Sequence, residues 1–199
     1  MRTFCICLPE NTERIEKARQ HFASHDLDVE FFWGIDAKIA GLATRHVYEV
    51  DHPGSGFRIG EKPTGIWLSH YMLWNCLTRL PEDRFLILED DAKLCDGFVD
   101  KLHQCMLDIP SNFDFLYVGN CCVKGHPHTR MSPRVIETKH MQCTHAYVVS
   151  RKCLPLLLRT LRKVWAPIDI QLQFECFPHL HTYAAFPRLA DQFDTIIPE

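Results

Sequence analysis

The chain has 199 residues, 46% hydrophobic and 24% charged, which suits one domain with a full-sized core. A formal charge of −3, a pI near 6.4 and the lack of any basic stripe argue against a nucleic-acid or anionic-membrane partner. No apolar run is long enough for a transmembrane segment. The opening "MRTFCICLPENTER" is a short apolar burst broken by Pro9 rather than a secretory leader, so a cytoplasmic location is expected.

In chain order, Thr3 to Leu8 reads as a first strand ended by Pro9, with Asn11 or Thr12 capping a helix that carries Ile15, Ala18 and Phe22 on one face and ends near Ser24. "DVEFFWGID" gives a second strand stopping at Gly34, and Ala37 to Lys62 lacks periodicity and reads as a long loop. Thr64 is placed to cap a helix from Gly65 to about Leu80, with Ile66, His70, Leu73 and Leu77 on one face. "RFLIL" is the next strand and runs into three acids. Asp96 then caps a helix marked by Phe98, Leu102 and Met106 and stopped at Pro110.

"FDFLYVG" is a strand that opens into a loop over 120–133, and short strands are expected around Val135 and at "AYVVS". Leu154, Leu157, Leu158 and Leu161 mark a helix, "PIDIQLQF" starts another with Asp169 in its first turn, and "HTYAAFP" is a last strand before a tail. The alternation of strands and helices predicts a single α/β domain over 1–199, with a mostly parallel twisted sheet covered by helices on both faces.

The ten cysteines include Cys5, Cys7, Cys76, Cys105 and Cys153 inside apolar stretches, which reads as reduced core thiols. Cys121, Cys122, His126 and His128 crowd one loop but form no C-x-x-C pair, so a polar loop is expected there rather than zinc. His70 reads as a satisfied core histidine. Trp33, Trp67 and Trp74 read as core rather than as sugar-stacking platforms.

The chemistry concentrates in "FLILEDDAKL". Glu89, Asp90 and Asp91 repel one another, and such a cluster at a strand end calls for a cation or backbone donors. Alternation along a strand would put Glu89 and Asp91 on one side and Asp90 on the other. Magnesium or manganese favours carboxylate oxygens and leaves positions open for phosphate, so Asp91 with Glu89 or Asp90 is the expected metal set.

The stretch "LILEDDA" after a helix beginning "GIWLSHYMLW" resembles glycosyltransferase family 25, which includes bacterial lipooligosaccharide and procollagen galactosyltransferases. "ICLPENTER", "FWGIDA", "THAYVVSRKCLPLLL" with "PIDIQL", and "YAAFPRLADQ" fit its pattern in the same order, from about Thr3 to Gln192. The resemblance implies a GT-A-like fold, a UDP-sugar donor, a divalent metal and transfer of a hexose, most often galactose, with inversion. The acceptor would be a hydroxyl of a glycan or a hydroxylated protein, with peripheral membrane contact if the glycan is lipid-linked.

Within that frame Leu8, Arg14, Asp36 and Ser69 are expected to contact the donor together with Glu89 and Asp90. Gln192 would complete the metal or phosphate shell, and Thr144 and His145 would face the acceptor. Asp169 is the expected general base. The alternatives are the same reaction with UDP-glucose or a UDP-N-acetylhexosamine, a catalytically silent carbohydrate-binding relative, or a nucleotidyltransferase. The last would want a Gly-rich phosphate loop, for which "HPGSGFRIG" is a weak candidate.

Overall fold

A computed structural model describes residues 1–36, 38, 59–121 and 126–193. Most of the long loop expected over 37–62 therefore lies outside the described residues. Its last two residues open a helix instead.

The first unit is strand β1 (Arg2–Cys7), helix α1 (Thr12–Ala23) and strand β2 (Glu30–Trp33), with β1 and β2 parallel. The chain then passes through α2 (Glu61–Leu77) to β3 (Arg84–Glu89), which lies parallel to β1 on its other side. Phe85 to Leu88 are completely buried, as a strand covered on both faces requires. After β3 come β4 (Ala92–Leu94), α3 (Phe98–Asp108), β5 (Phe115–Tyr117), β6 (His128–Arg130) and β7 (Val135–Thr138). They are followed by β8 (Ala146–Ser150), α4 (Leu154–Thr160), the short α5 (Ile168–Gln171), β9 (Thr182–Ala185) and β10 (Ala190–Gln192).

The main sheet has the order β2-β1-β3-β8-β5-β9-β7-β6. It is mixed: β2-β1-β3 and β5-β9 are parallel, whereas β8 runs antiparallel between β3 and β5, and β7 runs antiparallel to β9 and β6. One face packs on α2 and the segment from Cys153 to Leu180, through Trp67, Trp74, Leu77, Leu157 and Phe177. The other packs on α1 and α3, through Phe22, Phe98, Leu102 and Cys105. This is the α/β arrangement, helices on both faces, that the alternation of patterns predicted.

Four local expectations are corrected. Helix α2 starts at Glu61, with Gly60 at its N-cap. Thr64 lies inside the first turn, its hydroxyl donating to Gly60 O at 2.9 Å. Pro63 permits this, because an amide in the first turn has no intrahelical acceptor to lose. Gly97 rather than Asp96 caps α3, in a left-handed conformation (φ 65°) that glycine adopts at little cost. The tail holds a further strand, since β10 pairs antiparallel with β4, a partner too short to show a period. Trp33 is 56% exposed, because it ends the edge strand β2, while Trp67 and Trp74 are buried as expected.

Candidate active site

Strand β1 has β2 on one side and β3 on the other, so the chain changes direction between β1 and β3. Crevices outside the carboxyl ends of strands at such switch points are where open α/β sheets bind ligands. A cleft of about 340 Å³ opens there, within the usual range for small-molecule sites. Its apolar part comes from Ile6, Cys7 and Leu8 at the end of β1 with Ile35 and Ile66, and its polar part from Arg14, Asp36, Ser69, His70, Gln192 and the three acids. Five carboxylates and three lysine or arginine side chains line it, an excess of negative charge that would repel a phosphate unless a cation joined them.

Strand β3 ends at Glu89, and Asp90 and Asp91 form a turn, so the expected alternation stops before it can separate them. All three acids therefore face the same cleft. Each has its own partners. Glu89 accepts hydrogen bonds from Thr144 Oγ1 at 2.8 Å and His70 Nε2 at 3.1 Å, and its backbone N–H donates to His145 O at 2.8 Å. Burial opposes its charge, but the His70 and Thr144 bonds hold its carboxyl below the usual value.

Asp90 is paired with Arg14, from the first turn of α1. Burial nevertheless outweighs that guanidinium and pushes its carboxyl up to about 6. Asp91 accepts from Gln192 Nε2 at 3.1 Å and has Arg14 at 3.4 Å, while its Oδ1 is buried without a partner among the described residues. Burial first, then repulsion from Glu89, raises its carboxyl above the ordinary value.

These residues fit a hard divalent cation. A buried carboxylate oxygen lacks a donor among the described residues, neighbouring carboxylates lean in opposite directions (Glu89 toward the ionised form, Asp91 toward the protonated one), and all the candidate ligand atoms are oxygens. Asp91, with Glu89 or Asp90, would hold it.

His70 is completely buried and satisfied at both nitrogens, as its place on the apolar face of α2 predicted, but it also does more. Trp74 Nε1 donates to the Tyr147 hydroxyl at 2.9 Å. The hydroxyl proton is then directed to His70 Nδ1 at 2.8 Å, which leaves Nε2–H to donate to Glu89. This buried relay was not foreseen. It joins residues 70, 74, 89 and 147, and no spacing in the sequence brings Tyr147 beside α2.

The other expected residues fall into three groups. Leu8, Arg14, Asp36 and Gln192 line the cleft. Ser69 also lines it, but its hydroxyl is engaged: it donates to Gly65 O at 2.7 Å and accepts from Ile35 N at 2.8 Å, so it shapes the turn that presents Asp36. Thr144 and His145 are 5% and 1% exposed, too buried to meet an acceptor, and both act on Glu89 instead. Asp169 lies outside the cleft lining, where its Oδ2 accepts from Cys143 N at 2.8 Å and its Oδ1 from Ile170 N at 2.9 Å.

Among the cysteines, Cys121, expected only in a polar loop, forms a disulfide with Cys143, a pairing the sequence reading did not anticipate. Cys121 lies outside any apolar period, just past β5, and the fold carries it to the turn before β8. Cys5, Cys7, Cys105 and Cys153 are free and buried as expected, whereas Cys76 is free but exposed. Cys122 lies outside the described residues, and His126 stacks on His140 at 5.1 Å.

The family model for glycosyltransferase family 25 (LPS biosynthesis protein) matches residues 1–172, most of the chain and the whole of the acidic turn. The chain belongs to glycosyltransferase family 25. This family 25 chain is 27% identical over 88% of its length to a glycosyltransferase 25 family member of Anopheles gambiae. It is 23% identical over 83% of its length to procollagen galactosyltransferase 1 of Danio rerio, and 23% identical over 93% to a probable inactive family member 3 of Bos taurus. It covers 32%, 30% and 34% of those proteins, so the family 25 chain spans about a third of the length of the curated relatives it matches. Among solved structures, a glycosyltransferase involved in glycosylation of the major capsid of PBCV-1 matches with a TM-score of 0.52 at 11% identity. That match covers 92% of this chain and 79% of the other, and it supports a GT-A-like fold.

Proposed function

We propose that the chain is the donor-binding and catalytic unit of an inverting, metal-dependent hexosyltransferase. Its preferred donor is UDP-galactose and its acceptor a hydroxyl on a glycan or a hydroxylated protein. The observation that carries this reading is the acid trio lining a cleft at the sheet's switch point, with Asp91 Oδ1 buried and lacking a donor among the described residues. The Danio rerio relative's name favours galactose over glucose or an N-acetylhexosamine.

Held through Asp91, with Glu89 or Asp90 beside it, manganese or magnesium would supply Lewis-acid stabilisation of the departing diphosphate. The protein's own residues do the rest. Arg14, which bridges Asp90 and Asp91, can turn toward phosphate once those charges are neutralised. Leu8 and Ile35 offer apolar surface to the base, and Asp36 stands beside them for ribose. Thr144 and His70 keep Glu89 ionised and oriented.

Asp169 is the candidate base. Two backbone N–H groups hold its carboxylate in one orientation, and the acceptor hydroxyl would need to reach it from outside the donor cleft. A peripheral membrane position follows only if the acceptor is lipid-linked. The cytoplasmic setting expected from the sequence sits uneasily with the disulfide, since such bonds persist mainly in oxidising compartments.

The test is release of UDP from each UDP-sugar with manganese and with chelator. Turnover is expected with UDP-galactose and manganese, and Asp91→Ala should abolish metal-dependent UDP binding. Asp169→Ala should keep that binding and lose turnover. No release from any donor, with no metal-dependent UDP binding, would move the chain to the silent members of the family.

A further inference from the structure

We infer that the Cys121–Cys143 disulfide is a positioning device for Glu89, holding the turn through which Thr144 and His145 grip that carboxylate. The inference rests on the proposed site and adds a control point to it. Cys143 has φ 68°, a left-handed conformation uncommon for a residue with a side chain. Three restraints keep it there. These are the bond to Cys121, the hydrogen bond from its N–H to Asp169 Oδ2 at 2.8 Å, and the bond from Cys121 N to Gln142 O at 3.3 Å.

The consequences run directly along the chain. The next residue, Thr144, donates to Glu89 Oε1, and the one after, His145, accepts the Glu89 N–H at its carbonyl, both at 2.8 Å. The His145 ring is fixed as well. Gly119 leaves it room, since a Cβ there would stand 2.1 Å from Nε2, and an imidazole nitrogen lies within 4.8 Å of both sulfurs. The bond thus ties the end of β5 to the start of β8 at the point where Glu89 is gripped. Opening it frees Cys143 to leave the left-handed region, and Thr144 moves with it.

The experiment is reduction of the intact chain and its reoxidation by a small-molecule disulfide, which re-forms the S–S bond by thiol–disulfide exchange and is itself reduced to two thiols. A water-soluble phosphine delivers two electrons to the S–S bond and becomes the phosphine oxide with oxygen from water. The sulfurs each take a proton and leave as thiols. Manganese affinity in the presence of UDP, measured by calorimetry, reads the site without depending on turnover.

Reduction should weaken that affinity by roughly tenfold, the scale on which second-layer partners tune a metal site, and reoxidation should restore it. Thr144→Val should weaken the oxidised protein to a similar degree, and reducing that variant should add less than about twofold, because both changes remove the same grip. Reduction that leaves the affinity within about twofold would overturn the inference, as would reduction and Thr144→Val acting independently. Uptake of one zinc ion by the reduced chain with manganese affinity unchanged would overturn it too, and would make the two thiols and His145 a metal centre. Normal binding without UDP release from any donor would count against the proposed reaction alone. No manganese–UDP binding in the oxidised protein would sink both.

Discussion

Trp74, Tyr147 and His70 hand one another a hydrogen-bond proton and end on Glu89, while the side chain of Asp90 beside it is paired with Arg14. Adjacent acids therefore have opposite leanings, Glu89 toward the ionised form and Asp90 toward the protonated one. His70→Phe should remove the relay's last link and lower kcat by about 10–100-fold, with the circular-dichroism spectrum unchanged, since a hydrogen bond to a charged group is worth about 1.5–3 kcal/mol.

For Asp90 the folded chain holds the proton more tightly than the unfolded one, with the carboxyl raised from 3.8 to about 6. Its contribution to the metal-free protein is therefore most favourable below about 4 and is lost as pH rises to about 6. Asp90→Asn should leave the metal-free melting temperature near wild type at pH 4. At pH 7.5 it should raise it, by an amount equivalent to about 2 kcal/mol. Equal effects at both pH values would refute the assignment. Stability given up at the acid trio is what a cation site demands.

At the scale of elements, the site is built by pieces that sequence periodicity barely marks. Strand β10 brings Gln192 to Asp91, and its partner β4 is three residues long. The bridge between Gly119 and Ala190 holds that ribbon against the main sheet, with His145 packed under it. A Cβ at 119 would meet His145 Nε2 at 2.1 Å and Ala190 O at 3.0 Å, so Gly119→Ala should cost about 3 kcal/mol in urea unfolding and weaken manganese binding as well.

On the other face, Gln171 is completely buried in α5, where it accepts from the Trp67 indole at 2.9 Å and donates to Lys163 O at 2.9 Å. Gln171→Leu should lower stability by about 2–3 kcal/mol, because the buried indole N–H of α2 loses its acceptor. This cost would show in the unfolding midpoint and leave manganese affinity intact.

For the molecule as a whole, the two helical layers and the buried centre of the sheet form a scaffold, and the cleft at its switch point carries an excess of carboxylates over lysine and arginine side chains. Ligands that neutralise that region should stabilise the entire chain. Manganese and UDP together, each at about a hundred times its dissociation constant, should raise stability by about 2.7 kcal/mol or more, a rise of roughly 5–10 °C in Tm. UDP alone in chelator should do much less, because phosphate would then face five carboxylates. A full shift from UDP alone would remove the case for a cation.

The long periods and the punctuation sufficed for the α/β class, for α1, α3, β3 and their buried faces, and for the acids at a strand end, because amphipathic spacing and a run of like charges are local properties. The family resemblance, not the periods, pointed to Leu8, Arg14, Asp36 and Gln192 as donor or metal contacts, and these four line the same cleft. What only the tertiary structure decided is where distant segments meet. It set Tyr147 and Trp74 behind His70, Thr144 and His145 on Glu89 rather than on an acceptor, and Asp169 under Cys143. It also paired Cys121 with Cys143. Each of these depends on strand order, with β8 inserted antiparallel between β3 and β5, and strand order is settled by packing across the whole sheet rather than by any short window of residues.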